Sequence, residues 1–185
     1  SGEAQGADVT QGGQIVAHEA AVMTRIIRQL LDFARRKPPQ RGEVDARVLL
    51  ATTLRLLGTL ATQRQVTLDL REGEPLPVSV DAVQLQQVLT NLVMNALQAS
   101  SPGQRVEVWA SREEQVPPPD VDPSGTRRSW VVLHVQDHGS GIPPDVLPHV
   151  FEPFFTTKEV GEGSGLGLSV SWSLVRDHGG WISAR

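Results

Sequence analysis

The chain has 185 residues, a net charge of -4 and no cysteine, with 39% hydrophobic and 4% aromatic residues. There is enough Leu, Ile and Val to rule out a wholly disordered chain, and the missing cysteines rule out disulfides, thiolate metal sites and cysteine nucleophiles. The acidic balance argues against a nucleic-acid binder, and no apolar run approaches the roughly 18–20 residues of a membrane span.

Residues 1–13 are Gly-rich and aperiodic and read as a disordered tail. The start at Ser1-Gly2 with no signal-peptide pattern is expected to mark an excised piece. From Gln14 to Arg36, Val16, Met23, Ile26, Leu30 and Phe33 recur at helical spacing until Pro38-Pro39 end the run. Such a helix needs a partner helix or the following domain to bury its stripe. Asp45 caps a second predicted helix over 46–63, carrying Val48, Leu49, Leu54, Leu56 and Leu57.

Val66, Leu68 and Leu70 alternate as in a half-buried strand, and Val78–Val80 is a short one. Asp81 followed by Gln84 resembles a capping box. It opens a helix to about Ala99, with Val83, Leu85, Val88, Leu89, Leu92, Val93, Ala96 and Leu97 as its apolar face. Strands are predicted over 105–112 and 130–136, separated by a Pro-rich excursion. Residues 137–167 read as loop with a short helical piece near 145–150. A loop of that length in a compact domain points to a functional lid. A last helix covers 166–178, Gly179-Gly180 stop it, and 181–184 begin a strand. The sum is a mixed α/β layer with helices packed on one sheet face.

Four segments carry chemistry. Asn91 and Asn95 lie four apart, so their amides share one helix face. They fit a polar helix edge, or a carboxamide oxygen for Mg²⁺, a hard ion that completes its shell with phosphates and water. Asp137-His138-Gly139-Ser140-Gly141-Ile142 follows a strand. It fits a plain Asp-Gly turn, or a carboxylate reading an exocyclic amine such as that of adenine beside glycines that admit a flat ligand. His138 is expected to be an exposed loop residue.

Phe151, Phe154 and Phe155, three of the four phenylalanines, suggest a hydrophobic anchor, with Thr157 and Lys158 just beyond. Lys158 fits a surface lysine or a phosphate-seeking charge. Gly161-Glu162-Gly163-Ser164-Gly165-Leu166-Gly167-Leu168 runs into a helix and fits a flexible linker or an anion site of free N–H groups. It is neither a Walker A loop nor a dinucleotide fingerprint.

In this order the four segments resemble the N box, first glycine box, F box and second glycine box of the ATP-binding catalytic domain of sensor histidine kinases. That superfamily also includes gyrase, MutL and a heat-shock chaperone. The resemblance covers about Val44 to Arg185, and Ile26–Ala34 resembles the end of the family's second dimerisation helix. The division it implies is a tail over 1–13, the end of a dimerisation helix over 14–38 and a catalytic domain over 44–185 that stops before its last strand. The fold it implies is α+β: a two-layer sandwich of the Bergerat type, with a mixed sheet, helices on one face and one long helix in front.

The resemblance also assigns roles. Asn95 ligates Mg²⁺ and Asn91 lies beside the phosphates. Asp137 hydrogen-bonds the adenine amine, with Gly139 and Gly141 shaping that wall. Gly163, Gly165 and Gly167 close around the phosphates, and Lys158 reaches the terminal ones. Ile142, Thr157, Ser164 and Leu166 complete the nucleotide-binding set. ATP-hydrolysing relatives carry a glutamate at the position of Asn91; an amide cannot serve as that base, which fits phosphoryl transfer.

His18-Glu19 begins like the family's phosphoacceptor motif, but Ala20-Ala21-Val22-Met23 does not complete it. The acceptor histidine is therefore expected on a helix upstream. The expected partners are ATP, the receiver domain of a response regulator and a second copy through the dimerisation helices. No nucleic acid is expected. A cytoplasmic domain is expected, with the parent's membrane anchoring open. The competing readings are a nucleotide-sensing scaffold of the same fold and a related ATPase.

Overall fold

The computed structural model describes Thr24, residues 38–158 and residues 164–185. The tail over 1–13, the remainder of the helix expected over 14–36 and His18 lie outside the described residues.

The elements in chain order are β1 (Gly42–Asp45), α1 (Ala46–Gln63), β2 (Thr67–Leu70), β3 (Pro77–Val80), α2 (Ala82–Ala99), β4 (Arg105–Gln115), β5 (Arg128–Gln136) and α3 (Gly167–Asp177), with a short 3-10 turn at Leu147–His149. Both long helices begin at the expected aspartates. Asp45 Oδ1 accepts the Arg47 N–H at 2.9 Å and the Leu76 N–H at 3.1 Å, so one carboxylate starts α1 and holds the chain leading into β3. Asp81 Oδ1 accepts the N–H groups of Val83 at 3.0 Å and Gln84 at 3.2 Å.

Among the described residues two sheets form, one of them the expected mixed sheet. β1 and β3 make an antiparallel ribbon, from Gly42 opposite Val80 to Asp45 opposite Pro77. The mixed sheet has the order β2-β4-β5, with β2 parallel to β4 and β4 antiparallel to β5. β4 runs three residues further than its apolar pattern suggests. Glu113, Glu114 and Gln115 gain ladder partners in Trp130, Ser129 and Arg128, which shortens the Pro-rich excursion.

Along β4, Val106 and Val108 are fully buried against the helices. The intervening residues alternate to the opposite face, as the period of two requires. Leu50, Leu89, Val93 and Leu97 fill the space between helices and sheet. α2 lies between α1 and α3 and touches both. The described residues thus form the expected two-layer α+β arrangement with the helices on one face.

Three of the apolar positions expected on the faces of α1 and α2 turn away from this core. Val48, Leu56 and Val83 are exposed by 61%, 64% and 78%. The buried stripe of α1 runs through Ala46, Leu49, Leu50, Thr53, Leu57 and Ala61, and the 3.6-residue period leaves no room in it for Val48 or Leu56. Val83 stands in the first turn of α2, before the stripe at Val88, Leu89 and Val93 reaches the sheet. The strand expected at 181–184 does not form: residues 181–185 carry no strand ladder. Trp181 instead meets Trp130 of β5 edge-on, with ring centroids 4.8 Å apart.

The N–H groups of Gln40, Gln84 and Val83, in that order with His178 nearby, hold the Asp81 carboxyl below the usual carboxylate range. Its stabilising effect is present above about pH 4 and is lost as pH falls through the lowered value. Asp81→Ala is expected to cost about 1–2 kcal/mol, the loss of a helix cap. Thermal unfolding near neutral pH should show a Tm lower by roughly 2–8 °C, and an unchanged Tm would deny the cap its role.

Candidate functional site

α2 is the spine of the site. Asn91, Asn95 and Gln98 are spaced by four and three, so they share a face. Each of the three other segments touches this helix. Asn91 Nδ2 donates to the Gly167 carbonyl at 3.2 Å and to Ser171 Oγ at 3.3 Å. The same carbonyl accepts from Ser171 Oγ at 2.9 Å, and Ser171 is completely buried. Asn91 therefore fastens α2 to the first turn of α3, and its carbonyl oxygen is the atom left for a ligand. The residue pattern did not foretell this structural use. Asn95 is half-buried, and its side chain makes no hydrogen bond to another described residue.

Lys158 Nζ donates to Gln98 Oε1. Its charge thus sits one turn beyond Asn95 on the same face. Gln98 is a candidate site residue outside the four segments, and its spacing from Asn95 is the signal for it in the sequence. Thr156 Oγ1 accepts the Lys158 N–H at 3.2 Å. Thr157 is exposed.

Asp137 follows β5 directly. Its Oδ1 accepts the Gly139 N–H at 2.9 Å, closing a tight turn and leaving Oδ2 outside that bond. Gly139 has no room for a side chain: a Cβ there would lie 2.2 Å from the carbonyl oxygen of Ala99, in the last turn of α2. Gly141 is needed for a different reason. It has space around it but a φ of +71°, a conformation that only glycine adopts without strain. Ile142, next in the chain, is exposed by 41%. His138 is exposed, as expected, and pairs with Glu107 at 3.1 Å.

The F-box segment and the second glycine turn meet backbone to backbone. Phe154 N–H donates to the Gly165 carbonyl at 3.0 Å, and a Cβ on Gly165 would lie 2.3 Å from the Phe154 carbonyl carbon. The anchor role expected for the phenylalanines is divided. Phe151 and Phe155 are half-buried, whereas Phe154 is 61% exposed and has φ of +67°. The turn that seats Gly165 holds the Phe154 backbone in a conformation that points its ring outward.

Gly163 lies outside the described residues. Ser164 Oγ accepts the Leu166 N–H at 3.4 Å. The Leu166 side chain is 1% exposed and belongs to the core, so only its backbone is available to a ligand. α3 then begins at Gly167 without a side-chain cap. The N–H groups of its first turn have no intrahelical acceptor and make a partial positive end suited to an anion.

These donors fit a nucleotide with a divalent cation. An uncommitted carboxamide oxygen, a lysine and an uncapped glycine-led helix end surround one face of α2, and a carboxylate stands at its far end. A hard cation that takes few protein ligands and finishes its shell with phosphate and water needs no more from the protein than Asn95 supplies. Asn95→Ala is expected to weaken affinity for Mg-ATP by about tenfold, the size of one hydrogen bond to a charged group. Calorimetry in Mg²⁺ and in EDTA checks this, and an equal loss in both would contradict a ligand role.

A family model described as histidine kinase-, DNA gyrase B- and HSP90-like ATPase matches residues 80–185. The chain is 39% identical over 162 residues to the sensor kinase CckA of Brucella abortus, covering 85% of this chain and 17% of that protein. It is 34% identical over 178 residues to the sensor histidine kinase ZraS of Escherichia coli, covering 96% of this chain and 35% of that protein. Among solved structures, full-length ShkA in complex with AMPPNP aligns with a TM-score of 0.69 at 25% identity, covering 90% of this chain and 35% of that one. The chain spans only 17% and 35% of the length of the two curated relatives. Among the described residues, no helix is long and apolar enough to cross a membrane.

Proposed function

The chain belongs to the histidine kinase-, DNA gyrase B- and HSP90-like ATPase family, and from that premise we propose that it is the Mg-ATP-binding catalytic core of a two-component sensor histidine kinase. The γ-phosphoryl group would pass to a histidine on a dimerisation helix upstream, and from there to the receiver domain of a response regulator. The observation that carries this reading is convergence. Gly139 packs on Ala99, Lys158 binds Gln98 and Gly167 binds Asn91, so three segments far apart in sequence meet one face and end of α2.

Asp137 keeps Oδ2 for the adenine amine, a donor that an acceptor-only carboxylate suits. Gly139 and Gly141, with Ile142 beside them, give the flat base a close backbone wall. The first-turn amides of α3, with Gly163, Ser164 and Gly165 leading into them, hold the phosphate oxygens. Thr157 and Lys158 stand at the phosphate end, where the lysine charge offsets that of the terminal phosphates. Asn95 would hold Mg²⁺, which would supply charge neutralisation for the phosphates during transfer. Phosphoryl transfer asks mainly for positioning and charge neutralisation, and these residues supply both. Asn91, fixed by Gly167 and Ser171, has no basic group with which to activate water. That favours transfer to a protein over hydrolysis.

The test supplies the parent's upstream helices in trans with radiolabelled ATP. Label is expected on a histidine of the added helices and not on this chain. Stable label on a histidine of this chain would overturn the placement of the acceptor. Steady phosphate release that disappears on changing Asn91 would indicate a hydrolase instead.

A further inference from the structure

The ends of α2 and α3 opposite the nucleotide face meet at a junction that the proposed chemistry does not use. His178 caps α3 at its C-terminus. Its Nε2 lies 2.9 Å from the backbone nitrogen of Asp81, and its Nδ1 lies 2.8 Å from the carbonyl oxygen of Leu174. A backbone N–H can only donate and a carbonyl can only accept. The ring therefore carries its proton on Nδ1 and accepts at Nε2, the neutral Nδ1–H tautomer.

Asp81 in turn joins two segments. Its Oδ1 caps α2, while Oδ2 accepts the Gln40 N–H at 2.9 Å. Beside it, the Arg41 guanidinium donates to the Asp177 carbonyl at 3.0 Å. The chain arriving at Gln40 and Arg41 is thus tied to α2 through Asp81 and to α3 through Asp177, and His178 ties the two helices to each other. Beside the packing of the two helices, hydrogen bonds tie α3 to α2 near both ends: Asn91 to Gly167 and Ser171 at its start, and Asp81 to His178 at its end. These ties sit at opposite ends of α3.

We propose that His178 is a positioning residue whose neutral ring pins α3 to the cap of α2, so that a displacement of the chain arriving at Gln40 reaches the nucleotide site as a change in the angle between these helices. The inference rests on the nucleotide reading of the site. The charged groups at this junction are Asp81 at the cap of α2, Arg41 of the arriving segment, bonded to the Asp177 carbonyl, and Asp177 next to His178 in the chain. Protonating Nε2 puts a second donor against the Asp81 N–H, and the imidazolium then competes with Gln40 for the Asp81 carboxylate.

The whole chain is titrated with Mg-AMPPNP at about pH 8 and about pH 5, the interval in which histidines change charge. Wild-type affinity is expected to fall by about fivefold, the lower end of coupling between sites. His178→Gln keeps an acceptor for the Asp81 N–H and does not titrate. It should match the wild type at the higher pH and lose at most about half of the wild-type fall, on the same coupling scale. A wild-type affinity that does not change, or a glutamine variant that falls as steeply, overturns the coupling. Long-range proton–nitrogen NMR of the imidazole reads the tautomer with no nucleotide present. The Nδ1–H form is expected at the higher pH, and the Nε2–H form would overturn the pin. If AMPPNP fails to bind while the Nδ1–H form is found, the nucleotide reading is contradicted and the pin remains.

Discussion

Gly139→Ala is expected to abolish nucleotide binding and to lower the stability of the folded chain. The added Cβ would sit 2.2 Å from the Ala99 oxygen, 2.7 Å from the Ala99 carbonyl carbon and 3.0 Å from its Cβ. Two of these atoms are backbone in the last turn of α2, so no rotamer change relieves the contact. The loop is also held on both sides: the Gly139 N–H donates to Asp137, and Gln104 Nε2 donates to the His138 carbonyl at 2.6 Å. Either the end of α2 unwinds or the Asp137 turn lifts away. Overpacking of this kind costs about 1–3 kcal/mol, occasionally more. Whichever element yields, Asp137 leaves its place relative to Asn95. Gly141→Ala is the matched control. It meets no atom within 4 Å and bears only the left-handed strain of φ +71°, about 1–2 kcal/mol. Thermal unfolding and calorimetry of the two variants should rank Gly139→Ala as the more damaged in both respects. Wild-type affinity in Gly139→Ala would contradict the close packing of this turn on α2.

Asp137→Asn is expected to reduce ATP affinity by about a hundredfold while leaving Tm unchanged. The substitution separates the two uses of the side chain. Asn retains an oxygen to accept the Gly139 N–H, so the turn is preserved. The second atom becomes an NH₂ donor facing the adenine amine, and two donors cannot pair. Asp137→Ala should lose affinity as well, but it also loses the turn, so only the asparagine variant isolates base recognition. An asparagine variant with wild-type affinity would remove Asp137 from the adenine contact.

The helices were legible because cap and periodicity agreed. Asp45 and Asp81 begin α1 and α2 where their side chains accept first-turn N–H groups, and the apolar stripes follow. β1 was not legible: its four residues contain one aliphatic, Val44, and it exists through its register with β3. The failed strand at Trp181 has the same cause in reverse, since an apolar pattern without a ladder partner does not make a strand. In the site, the sequence distinguished residue types but not their reasons. Gly139 and Gly141 look alike in the chain, yet one answers to a contact with Ala99 and the other to its φ. Asn91 was readable as a ligand but not as the tie to Gly167. His178 lies 97 positions from Asp81, a pairing that no local pattern contains.

The central claim is that these converging segments bind Mg-ATP through its adenine and its phosphates. Calorimetric titration of the chain with ATP and with GTP, both in Mg²⁺, tests it most directly. Where adenine offers its exocyclic amine, guanine presents a carbonyl oxygen, which the Asp137 carboxylate repels. Saturable one-site binding of ATP is predicted, at least about tenfold tighter than GTP, the size of one lost hydrogen bond to a charged group. No binding of ATP, or equal binding of the two nucleotides, would contradict it.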